Sequence, residues 1–282
     1  MRKAGICLKG IGLALLISAA CAVIAQTPKT SDTLTREAKA FPGFAAAPGQ
    51  KRALNIGAGP SFATEIHVDM VMDTPEAKAC SEVLAQAQWR QDILLAFSAK
   101  AHYDNCQFEA TTTYLQEQLD AAIVAGASNN RDEALSALGR TLHAIQDFYA
   151  HTNYVELAVG RFADMSEIPV LPVWTAAGKD QLQRQVTNGL VSGYVWWESQ
   201  NICKEPVKTH ESLNKDEPTS ASGKVIVPGR NQSQHQVARD LARRATLEFL
   251  RDAFSKPQLA GVAAQCKGQI GVLLLTDNRN HK

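Results

Sequence analysis

The chain has no surplus of charge of either sign. Its 29 basic residues stand against 28 acidic ones, and three of the basic ones, Arg2, Lys3 and Lys9, fall in the first 25 residues. Without them the balance is 26 against 28, so no basic excess steers the protein onto duplex nucleic acid. There is no internal repeat, no alternation long enough for a sheet and no heptad array, which excludes solenoids, β-sandwiches and coiled coils. The glycine pattern of a nucleophile elbow is missing, and the cysteines look structural, so serine and cysteine hydrolases are poor readings. Beyond the N-terminus no apolar run approaches the roughly 20 residues of a membrane span. No helix there would form a pore by itself.

The N-terminus is the exception. Ile11 to Ala25 is apolar, follows three basic residues and ends in Val23-Ile24-Ala25, a small-residue cleavage site. Residues 1–25 are therefore expected to be a signal peptide, with an uncleaved anchor or a lipoprotein at Cys21 as weaker readings. Export leaves Cys80, Cys106, Cys203 and Cys266 in an oxidising compartment, where an even count suggests two disulfides with three connectivities open. Cys80 and Cys106 flank one helical segment, which favours Cys80–Cys106 with Cys203–Cys266. Four buried free thiols are the plainer alternative.

Residues 26–62 are rich in Thr, Ala, Gly and Pro and read as a flexible leader. Residues 63–282 read as one all-α domain, a multi-helix bundle with long loops. The apolar period predicts helices over 75–100, 108–125, 132–159, 179–199 and 233–255. Two close prolines make 166–172 irregular. The segment 201–231 reads as a long loop, with Val225-Ile226-Val227 as a short strand at most.

On the third helix, His143, Asp147 and His151 recur every fourth residue and share one stripe. A histidine and a carboxylate one turn apart give zinc two ligands from one rigid element, and the third residue is offset enough to serve a second ion. An isolated pair of this kind is usually a solvated face. Here Leu142, Ile145 and Phe148 surround the stripe, so it points inward, where ionisable groups must be paired or metal-bound. His102 and Asp104, His67 and Asp69, His210 and Asp216, and His235 and Asp240 supply further histidines with carboxylates nearby.

The run from Leu138 through His143, Asp147 and His151 to Leu157 resembles the HET-C (heterokaryon incompatibility C) family. That family is similar to the superfamily of zinc-dependent phospholipase C and single-strand-specific zinc nucleases. Segments 102–106, 209–216 and 238–246 extend the resemblance. It implies a bundle of the zinc-dependent phospholipase C type with two or three zinc ions. His143, Asp147 and Asp104 would hold one ion and His151 and His235 another. Asp104 would also be the catalytic base, His67 a further ligand matching only loosely, and His102 and His210 ligands or their supports. Arg239 stands where a carboxylate is expected after His235, so that ion would recruit Glu156 or Asp216.

The expected function is an exported zinc-dependent phosphoric ester hydrolase in which zinc-activated water attacks a phosphodiester. Phospholipid is the first-choice substrate, with membrane-surface contact through Tyr194-Val195-Trp196-Trp197, although plain core packing explains that cluster more simply. Single-strand nuclease or phosphomonoesterase activity is the alternative. A non-catalytic effector or binding protein that keeps the fold is the other.

Overall fold

The computed structural model describes residues 79–196 and 201–266. In chain order its helices are α1 (Ala79–Leu94), α2 (Ala99–His102), α3 (Phe108–Ala127), α4 (Arg131–His151), α5 (Tyr154–Val159), α6 (Ala176–Thr187), α7 (His210–Leu213), α8 (Gln234–Phe254) and α9 (Ala260–Cys266). Short 3-10 turns lie at Met165–Glu167 and Pro257–Leu259. Among the described residues only isolated bridges occur, with no strand, so the all-α class holds. None of these helices is long and apolar enough to cross a membrane. The expected signal peptide, the leader, His67 and Asp69 lie outside the described residues.

Helix α4 is the axis of the bundle. Every residue from Thr141 to His151 is buried, the polar Thr141, His143, Gln146, Asp147 and His151 included, and α1, α3 and α8 pack around it. Asn130 begins α4 by accepting a hydrogen bond from the Glu133 amide at 3.4 Å. Asn129, with φ 57°, makes the left-handed turn that ends α3. Helix α8 opens with a capping box between Ser233 and Gln236. Gly139 sets the closest approach: a Cβ there would stand 2.5 Å from the Leu84 carbonyl oxygen and 2.7 Å from the Ala87 Cβ of α1.

Several elements differ from the sequence expectation. The helix expected over 132–159 breaks at Thr152, whose extended backbone pairs with Ser192 and whose hydroxyl donates to the Phe148 carbonyl at 2.6 Å. The helix expected over 75–100 also divides, between α1 and α2. The fourth ends at Thr187, because Gly189 at φ 94° turns the chain out. Beyond it Val195 is buried and Trp196 is 78% exposed, the alternation of an extended segment. Core packing therefore does not account for Trp196, and Trp197 lies outside the described residues. Residues 225–227 form only the Ile226–Ser233 bridge, and the 201–231 loop contains α7.

The disulfides are Cys80–Cys266 and Cys106–Cys203, not the pairing favoured from the sequence. The reason is the length of α1. Sixteen helical residues extend about 24 Å, so they hold Cys80 away from the turn that carries Cys106. Two disulfides fit an oxidising compartment.

Candidate metal centre

The buried stripe of α4 meets carboxylates and imidazoles from four other segments. Because Gly139 lets α1 lie close, Asp92 Oδ1 comes to 3.3 Å from His143 Nε2. His102, the last residue of α2, places Nδ1 3.0 Å from the same His143 nitrogen and 2.9 Å from Asp147 Oδ2. His143 Nε2 is itself 3.1 Å from Asp147 Oδ2. Three lone-pair-bearing atoms thus form a triangle with sides of 2.9–3.1 Å. One proton cannot lie on all three sides. Ligands at zinc distances of about 2.0–2.1 Å in a tetrahedron stand roughly 3.3 Å apart, so a cation fits where a proton does not.

The tautomer agrees. His102 Nε2 lies 3.1 Å from the Leu95 carbonyl and donates its proton there, which turns Nδ1 inward as the ring's ligand atom. Burial disfavours charge on His102, but the hydrogen bond and charge of Asp147, with Asp92 and Asp104, outweigh it and lift the pKa to about 9, so near neutral pH the metal-free ring carries a proton on Nδ1 that a cation must displace in order to be held there. Burial likewise works against the Asp147 carboxylate, yet His143, His102 and His151 hold its pKa well below the usual range.

A second set lies on the other side of Asp147. His151 Nε2 is 3.6 Å from Asp147 Oδ1 and 3.5 Å from Asp216 Oδ1. The His151 and His210 rings stack with centroids 4.0 Å apart. His210 Nδ1 pairs with Asp104 Oδ1 at 2.8 Å, so its Nε2 is the atom left for a ligand. That Nε2, Asp92 Oδ2 and both Asp216 side-chain oxygens are buried without a hydrogen-bond partner, an arrangement that costs free energy unless an ion completes it. Burial, then His210, lowers the His151 pKa to about 4, so the ring is neutral and able to ligate. Burial, then the charges of Asp147 and Asp92, raises the Asp216 pKa well above the usual range.

Two groups of possible ligand atoms result, each clustered within 4.8 Å: Asp92, His102 and His143, and His151, His210 and Asp216. Asp147 faces both. Mixed imidazole and carboxylate donors suit a divalent first-row ion.

The residues singled out from the sequence are distributed unevenly. His102, His143, Asp147 and His151 line the centre directly. Asp104 supports His210 through the 2.8 Å contact and is absent from both ligand groups. His235 is also absent from them: its Nδ1 donates to the Lys215 carbonyl at 2.8 Å. His67 lies outside the described residues. Asp92 was not anticipated, although Leu84, Gln88 and Asp92 repeat the four-residue spacing of the α4 stripe and are all buried. Asp216, anticipated as a carboxylate near His210 and as a substitute beside His235, lies with His210 and faces His151.

Comparison with known proteins changes the expected kinship. A protein-family model described as the VWA7 N-terminal domain matches residues 72–170. The von Willebrand factor A domain-containing protein 7 of Mus musculus is 37% identical over 76 residues, which cover 26% of this chain and 8% of that protein. No solved structure matches. These findings replace the HET-C resemblance; nothing in them points to that family or to the zinc-dependent phospholipase C superfamily. The matched stretch contains Asp92, His102, Asp104, His143, Asp147 and His151, whereas His210 and Asp216 lie beyond it.

Proposed function

We propose that the chain is an exported hydrolase of phosphate esters that works with two divalent ions, zinc being the first candidate. One observation carries this reading: Asp147 turns Oδ2 toward His102 and His143 at 2.9 and 3.1 Å and Oδ1 toward His151 at 3.6 Å. A carboxylate shared between two ligand groups suits a pair of metals about 3.5–4 Å apart. When bound, such a pair activates water near neutral pH and neutralises charge on phosphoryl oxygens. The chain's own part is to hold the donors rigidly: α1, α2 and α4 position the first group, and Asp104 orients His210 in the second. Export agrees with the disulfides and with the signal-like residues 1–25.

Phospholipid is the proposed substrate. The Leu95 carbonyl contacts His102, and its neighbours Leu94 and Phe97 are 74% and 75% exposed. Val195, whose amide donates to Asn105 Oδ1 at 2.7 Å, precedes the exposed Trp196. Exposed apolar side chains beside a polar centre suit an amphiphile. The test is hydrolysis by protein purified without chelator, offered phosphatidylcholine vesicles, single-stranded DNA and bis(p-nitrophenyl) phosphate. Turnover that a chelator abolishes and zinc restores is expected. Cleavage of DNA alone would replace the substrate, and metal-independent turnover would overturn the reading.

A metal-stabilised binding domain is the second reading. It is favoured by the first group, since Asp92, His102 and His143 with the shared Asp147 supply four protein donors, and a site closed by four protein ligands is structural. Binding of both ions with no hydrolysis of any offered ester would select it.

A further inference from the structure

Lys215 is a lysine only 1% exposed, on the segment between α7 and α8, and the proposed chemistry makes no use of it. Burying an ammonium is costly unless its charge and all its protons are matched. Here they are. Nζ donates to the carbonyl oxygens of Leu213 at 2.7 Å, Thr152 at 2.9 Å and Ala150 at 3.5 Å, and pairs with Glu156 Oε1 at 3.0 Å.

The positions of these partners give the lysine its meaning. Ala150 and Thr152 flank His151 at the end of α4, where helix carbonyls lack intrahelical partners and carry partial negative charge. Asp216 follows Lys215 directly, and Leu213 ends the helix that His210 begins. The ammonium therefore ties the segment bearing His210 and Asp216 to the helix end bearing His151. From the other side, His235 of α8 donates to the Lys215 carbonyl at 2.8 Å and holds the same segment. The first ligand group is positioned differently, by side chains carried directly on α1, α2 and α4.

We propose that Lys215 is the positioning residue of the second metal pocket, fixing Asp216 and His210 against His151 so that a second divalent ion is held there. The inference rests on the two-metal reading. It differs from a general stabilising role in one respect: its loss affects one pocket and spares the other.

The experiment is a titration of the chelator-stripped full chain with Zn²⁺ against a chromophoric competitor, with folding checked by circular dichroism. Wild type is expected to bind two ions. Lys215→Met is expected to weaken the second about 10–100-fold, the usual cost of removing an outer partner of a metal ligand, and to leave the first unchanged. Lys215→Met combined with Glu156→Gln removes both charges, leaves no orphaned carboxylate, and is expected to give the same split. Two-ion binding at wild-type affinity in both variants would overturn the proposal while leaving the two-metal reading intact. Equal weakening of both ions, or misfolding of both variants, would overturn it by making Lys215 a general structural residue. Wild type that binds no ion would overturn the two-metal reading and this inference together.

Discussion

The two ligand groups around Asp147 are built in different ways. The first comes from α1, α2 and α4: His102, His143 and Asp147 place their donors 2.9–3.1 Å apart, and Asp92 lies 3.3 Å from His143. The second joins the end of α4 to a mostly irregular segment, and His151 lies 3.5–3.6 Å from its carboxylates. Helix packing fixes the first, through the close approach at Gly139. Single contacts fix the second: the Asp104–His210 pair, the Lys215 cross-link and a backbone clamped by a disulfide. Rigid elements hold ligands more closely than loops do. The first ion is therefore expected to bind tightly and exchange slowly, and the second to bind more weakly.

The largest effect is expected where the groups meet. Asp147→Asn removes the shared carboxylate, so both ions are lost and hydrolysis falls by more than about 100-fold, beyond the cost of an outer partner. Metal analysis and turnover check this together, and retention of two ions in the variant would separate the pockets completely.

The next expected effect concerns the clamp. Cys106 is bonded to Cys203, its amide donates to Ser192 Oγ at 2.8 Å, and the Asn105 amide donates to the Gly193 carbonyl at 2.8 Å. Replacing Cys106 and Cys203 with Ser is expected to cost roughly 2–5 kcal/mol in denaturant unfolding. The first ion should stay bound while the second weakens.

Two glycines sharpen the contrast further. Gly139→Ala forces a methyl group into the α1 backbone and is expected to cost about 1–3 kcal/mol while weakening the first ion. At Gly193 a Cβ would stand 2.3 Å from His210 Cα, so Gly193→Ala should weaken the second ion instead. Stepwise metal titration of both variants reads the difference. Identical profiles would mean that the pockets are not held separately.

The smallest effect is in pH. In metal-free protein, His102 titrates at about 9, above the ordinary 6.5, so its stabilisation is complete below 6.5 and is lost as pH rises through about 9. His151 titrates at about 4, so its contribution is present above 6.5 and is lost as pH falls through about 4. In chelator, His102 should therefore contribute to a fall in melting temperature on the alkaline side and His151 to a fall on the acid side. His102→Gln flattens the alkaline side and His151→Gln the acid side. Unchanged profiles in both variants would contradict the assignment.

The α4 stripe was legible in the sequence because one helix and its period place His143, Asp147 and His151 together. The all-α class followed from the same periodicity. Asp92 was not legible, because its role depends on how closely α1 crosses α4, and Gly139 carries no pattern of its own. The helix ends at Thr152 and Thr187 were missed because pairing with Ser192 and the turn at Gly189 override the apolar period. His235 showed the right residue type, but its proton goes to a backbone carbonyl, a contact made by a segment distant in sequence. The disulfides failed for a related reason: adjacency along the chain was taken for adjacency in space across a rigid helix.

A pair of divalent ions bridged by Asp147 fixes the metal content of the chain. Elemental analysis combined with native mass spectrometry, on protein purified from an oxidising compartment without chelator, tests it most directly. Two divalent ions per chain are expected in wild type and none in Asp147→Asn. Wild type carrying no metal, even after incubation with excess zinc, would contradict it.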